Sequence, residues 1–158
     1  MERRNPIRMT DDENHMRQAL AQAIKAGDRG EVPVGAVVVS GGKVLSHGYN
    51  QPVGGNDPTA HAEIVAIRKA ARKRGNYRLN GCDLYVTLEP CAMCLGAAVH
   101  ARLRRVVFGA LDPKSGAVRS VMKFPFRKMN HRPEIKGGVS AEACGRVLKK
   151  FFRARRGS

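Results

Sequence analysis

At 158 residues the chain has the length of one domain, enough to bury a core without covalent cross-links. Lys and Arg number 29 against 13 acids, a formal charge of +16, so the surface attracts polyanions and disfavours cationic partners. Four cysteines in this length do not make the disulfide framework of a small secreted scaffold, and no signal peptide is evident, so a reducing cytoplasm is the expected compartment. The longest apolar run, 32–39, is broken by Pro33 and Gly35 and is far too short to cross a bilayer. No segment pairs a basic face with a continuous apolar one, which argues against membrane-surface binding.

Residues 1–9 are polar and basic and are expected to fray. Thr10 and Glu13 then form a capping box, Asp11 and Asp12 fill the first turn, and Met16, Ala19, Leu20, Ala23 and Ile24 recur at helical spacing until Gly27. Residues 34–39 are β-rich, Gly41-Gly42 makes a tight turn, and 43–49 continue as the second strand of a hairpin. Asn50 opens a Gly-, Pro- and Asn-rich loop running to Thr59, a setting in which asparagine is ordinarily a turn residue.

From His61 the spacing becomes helical, with Ile64, Ile67 and Ala71 on one face, a solvated basic run elsewhere (Arg68, Lys69, Arg72, Lys73, Arg74) and Gly75 as the stop. Residues 84–88 form a short strand that delivers Glu89, Pro90 and Cys91. Pro90 can open a helix, which puts Cys91 and Cys94 on one face of its first turn. Residues 105–109 make another strand, 110–116 a loop, and 134–136 a last short strand before Gly137-Gly138. Ser140 is expected to cap a final helix whose buried stripe is Cys144, Val147, Leu148 and Phe151. Phe152 lies off that stripe, with Arg155 and Arg156 three and four residues on, in a basic tail over 153–158; an exposed aromatic flanked by arginines suits base stacking with phosphate contact. Strands alternating with helices predict an α/β sandwich, a mixed sheet with helices on both faces and the site at strand-to-helix junctions, as one domain over 1–158.

Two short stretches carry the chemistry. His61-Ala62-Glu63 and, thirty positions later, Pro90-Cys91-Ala92-Met93-Cys94 offer one imidazole and two thiols as metal ligands, with a carboxylate beside them. Catalytic zinc takes three protein ligands and leaves a fourth position open, so the count fits an open site better than a closed one. Glu63 is the informative extra, because a carboxylate beside activated water can take its proton and later deliver it to substrate. A structural zinc would need Cys82 or Cys144 as a distant fourth ligand and would have no use for Glu63, and a thiol-redox pair would show exchange chemistry at Cys91 and Cys94 with no bound metal. Residues two apart on a helix face opposite sides, so His61 and Glu63 can share a site only within an irregular first turn.

H-x-E followed by P-C-x-x-C resembles the signature of zinc nucleobase deaminases. The longer words around it, Asn56-Asp57-Pro58-Thr59-Ala60-His61-Ala62-Glu63, Tyr85-Val86-Thr87-Leu88-Glu89-Pro90-Cys91-Ala92-Met93-Cys94 and Arg105-Val106-Val107-Phe108-Gly109-Ala110, strongly resemble bacterial tRNA-specific adenosine deaminases. The likeness extends from about Thr10 to Arg156. It implies a three-layer α/β/α sandwich with a mixed five-stranded sheet, cytidine-deaminase-like. The implied activity is conversion of the wobble adenosine of a tRNA anticodon to inosine by a homodimer with one zinc ion (Zn2+) per subunit. By position it assigns His61, Cys91 and Cys94 as zinc ligands and Glu63 as the proton shuttle. Asn50, Ala62 and Asp112 become substrate-binding residues, beside Phe152, Arg155 and Arg156 from the pattern above. The alternatives are a zinc deaminase of a free base or nucleoside, guanine or cytosine type, a catalytically silent RNA-binding subunit, and a thiol redox protein.

Overall fold

A computed structural model describes residues 8–156 of the chain. The fraying expected for 1–9 and the last two residues of the basic tail fall largely outside that span. Helix α1 (Asp11–Asp28) begins as its sequence dictates: the Thr10 side chain accepts the Glu13 N–H at 3.1 Å. It runs past Gly27, and the chain turns instead at Gly30, whose φ is 78°, with the Glu31 N–H closing on the Ala26 carbonyl at 3.0 Å. Strands β1 (Gly35–Ser40) and β2 (Lys43–Tyr49) form the expected hairpin through Gly41-Gly42, with a bulge between Val38 and Val39.

Helix α2 (Ala62–Arg74) ends at left-handed Gly75, and β3 (Cys82–Leu88) starts two residues earlier than the apolar pattern implied. Helix α3 (Ala92–His100), β4 (Arg105–Ala110), a single 3-10 turn (Phe126–Lys128), β5 (Glu134–Lys136) and α4 (Ala141–Arg156) complete the order. The five strands lie as β2-β1-β3-β4-β5, antiparallel across β2-β1-β3 and parallel across β3-β4-β5, so the sheet is mixed as expected. The parallel step from β3 to β4 is spanned by α3, which carries the chain back to the start of the next strand.

Alternation along β1 sorts the core into two layers. Ala36 and Val38 join Ala62, Ala66 and Ala70 of α2 and Ala98 of α3 on one face, while Val37 and Val39 join Met16 and Ala19 of α1 and Cys144 of α4 on the other. That makes the α/β/α sandwich. Gly48 of β2 shows how tightly α2 is seated: a Cβ there would lie 2.5 Å from the Ala62 carbonyl oxygen. One sequence expectation needs correction. Ser140 has left-handed backbone (φ 53°) and meets α4 through its carbonyl, which accepts the Cys144 N–H at 3.1 Å, rather than as an extended cap. The basic segment 153–156 is the last turn of α4, held by packing of Phe151 and Arg155 against the α1 end. No helix among the described residues is long and apolar enough to cross a membrane.

Candidate active site

The site lies where two helices begin. His61 is the N-cap of α2 and Cys91 the N-cap of α3, both with extended backbone, so each sits just outside its helix with its side chain free of capping duty. Glu63 falls in the first turn of α2 while His61 stands outside it as the extended cap, which resolves how an imidazole and a carboxylate two residues apart face one place. Pro90 stands one residue before the α3 cap rather than inside the helix. Its carbonyl accepts the Ala117 N–H at 2.8 Å.

His61 Nδ1 is 3.6 Å from Cys91 Sγ and 3.6 Å from Cys94 Sγ, and the three ligand atoms all lie within 4.8 Å of one another. Nitrogen and sulfur held at their usual distances from one tetrahedral zinc are separated by about 3.6 Å. The donor set and its spacing therefore fit a zinc ion. The charges fit as well. The Cys91 thiol is lowered to about 4, first by hydrogen bonding with Cys94 and then with His61, against the opposing effect of burial. Cys94 is pushed far above its ordinary range, by Cys91 and by burial. A dication seated among the sulfurs would favour the thiolate form of both. Two helix N-termini pointing at the same place add positive potential that favours thiolate. His61 is raised, chiefly by its hydrogen bond with Cys91.

Glu63 is 4% exposed, and burial pushes its carboxyl above the usual range, with His61 and hydrogen bonds pulling the other way. A buried acid that faces an imidazole and two sulfurs is placed to take a proton and give it up again.

The remaining sequence-assigned residues divide. Asn50 directly follows β2, half-buried, its N–H bonded to the Val34 carbonyl at 3.0 Å, and the loop after it returns through Gln51 N–H to Ala60 carbonyl at 2.9 Å, which places Asn50 beside His61 in the chain path. Ala62 is wholly buried in the core with Ala66 and Ala70. The Asp112 carboxylate is used by its own loop, accepting the Lys114 N–H at 3.0 Å and the Ser115 hydroxyl at 2.9 Å. Phe152 is 40% exposed, with the Lys114 ammonium 5.6 Å over its ring. Arg155 stacks 4.6 Å over Phe151, four residues back on the same helix face, and donates to the Gly30 carbonyl. Arg156 is exposed at the helix end.

Two carboxylates escaped sequence reasoning. Glu31, 4% exposed, accepts the Val53 and Gly54 N–H groups at 3.0 and 2.7 Å and fixes the loop after Asn50. Glu89, 2% exposed, does the same for the loop after β4. The only available signal was an acid at the end of an apolar strand, immediately before Pro90.

A family profile described as MafB19-like deaminase matches residues 10–156. Over 152 residues the chain is 49% identical to a tRNA-specific adenosine deaminase of Haemophilus influenzae, covering 95% of this chain and 88% of that protein. It is 44% identical over 146 residues to one from Bacillus subtilis, covering 92% and 91%. A solved structure from a study of A-to-I editing by tRNA deaminases at the wobble position of transfer RNA superposes with a TM-score of 0.82 at 46% identity, covering 85% of this chain and 99% of that one. A guanine deaminase from Nitrosomonas europaea has the same fold, with a TM-score of 0.80 at 22% identity over 94% of this chain and 88% of that one. A five-stranded α/β/α sandwich with imidazole, two thiols and a buried carboxyl gathered at two helix starts is a deaminase of the MafB19-like kind. Within that class the chain belongs to the tRNA-specific adenosine deaminases.

Proposed function

We propose that this chain hydrolyses the wobble adenosine of a tRNA anticodon to inosine, as one deaminase domain in the cytoplasm, with zinc held by His61, Cys91 and Cys94. The observation that carries the reading is the close grouping of those three ligand atoms with Glu63 in the adjoining helical turn, in a chain so similar to tRNA-specific adenosine deaminases. When bound, zinc supplies the Lewis acidity that makes water a nucleophile near neutral pH. Everything else falls to the protein. Glu63 accepts a proton from the attacking water and passes it to ring nitrogen N1 as oxygen adds at C6. It then takes the proton of the hydroxyl formed at C6 and delivers it to the departing amine as the C6–N bond breaks, so that water is consumed and ammonia released. Asn50, at the end of β2, orients the base through its carboxamide. The anticodon loop presents splayed, single-stranded bases, which spares the cost of opening a duplex.

A homodimer is the assembly that family membership favours, and the exposed apolar side chains of Met93, Val121, Met122 and Met129 are surface that a second copy would cover. The reading is tested by incubating the protein with bulk tRNA and measuring inosine after digestion to nucleosides. Inosine should form, stop on chelation and return with added zinc. Activity on free guanine or cytosine with tRNA left unchanged would replace this reading with that of a base deaminase.

A further inference from the structure

Glu89 is a buried acid for which the proton transfers above have no use, and more donors converge on it than on any other carboxylate among the described residues. Its Oε2 accepts the N–H groups of Val118, Arg119 and Ser120 at 3.0, 2.9 and 3.1 Å. Its Oε1 accepts the Asp112 N–H at 3.0 Å and the Ser120 hydroxyl. Gly116 completes the cradle: a Cβ there would lie 2.3 Å from the carboxyl carbon, so no larger residue fits without moving it. The segment 111–120 has no helix or strand of its own, and this side chain beneath it substitutes for a backbone ladder.

The loop so held borders the active site and joins its other parts. Ala117 is tied to Pro90, next to the ligand Cys91. Lys114 reaches over Phe152, whose ring meets Phe151 edge-on at 5.5 Å, and Arg155 on Phe151 bonds Gly30, the residue before Glu31. A continuous run of contacts therefore links the 111–120 loop, the end of α4 and the loop pinned by Glu31.

Resting on the wobble-adenosine reading, we propose that Glu89 is a positioning residue for RNA recognition. It templates the 111–120 loop as the surface against which nucleotides beside the target adenosine lie, without itself touching substrate or metal. An amide at this position can present an acceptor to only one of the two donor groups, because its nitrogen would face N–H groups.

The test is Glu89→Gln, read by amide hydrogen exchange, zinc content, affinity for an anticodon stem-loop RNA, and KM and kcat for inosine formation. The amides of Asp112, Val118, Arg119 and Ser120 should lose protection, and Kd and KM should rise by about tenfold, while kcat falls by less than about threefold and zinc stays stoichiometric. Gly116→Ala, which keeps the charge and crowds the carboxylate, should raise Kd and KM in the same way and decides the matter if the first variant does not fold. Lost protection with unchanged Kd and KM overturns the proposal. So does a fall in kcat with zinc loss at constant KM, which would place Glu89 in support of the metal helix. A wild-type protein that binds the stem-loop yet forms no inosine would sink the wobble reading, and the Kd comparison would still judge Glu89.

Discussion

Glu63 and Cys91 lie within one small site yet should fail in different ways. Glu63→Ala removes the carboxyl to which the proposed mechanism gives the proton transfers and leaves the three ligand atoms in place. Inosine formation should drop by about 10²–10⁴-fold with zinc still bound at one per chain. Cys91→Ser removes a sulfur whose thiolate is favoured at a helix start, so metal analysis of the purified variant should find zinc lost along with activity. These residues were legible because their spacing is itself chemical: a His, an acid two on, then Cys-x-x-Cys. Glu31 and Glu89 were not, because their donors come from 22 to 31 positions away in loops without periodicity. The stacking of Arg155 over Phe151 was not legible either, since the spacing put it on the side of Phe152 as well.

At the level of elements, α2 brings two of the site's groups on one turn, and β2 sets where that turn lies. Gly48 lets the strand approach until a Cβ would be 2.7 Å from the Ala66 nitrogen. Gly48→Val would push the α2 start outward. We expect a loss of about 1–3 kcal/mol in urea unfolding, with activity falling further than stability alone explains because His61 and Glu63 both shift. The element order and the hairpin could be read from apolar alternation and turn residues. The bulge at Val38/Val39 and the left-handed Ser140 could not, since each is set by register and packing rather than by local propensity.

Across the whole molecule, a charge of +16 remains once the few ion pairs are formed, and several of those lie together at the sheet end formed by the β3 and β4 starts. There Asp12 of α1 receives Arg105 of β4 at 2.6 Å, Lys136 of β5 at 2.7 Å and the Tyr85 hydroxyl of β3 at 2.7 Å, which fastens α1 to three strands, while Asp83 receives Arg104 and Arg105. The positive charge that these pairs leave unbalanced draws phosphates to the surface. KM for tRNA should therefore climb by at least about tenfold between low and moderate salt, whereas a competing activity on an uncharged base would hardly change. The sign and size of the charge were plain from composition; where it is neutralised was not, because the paired residues lie up to 124 positions apart.

The cradle around Glu89 also separates what the 111–120 loop is made of from how it is shaped. Backbone N–H groups anchor it, and every amino acid except proline supplies one. Outward side chains such as Leu111 and Lys114 are thus open to exchange while the scaffold stays put, and this is where descendants of such a chain would acquire a taste for different nucleic acids at little cost to folding.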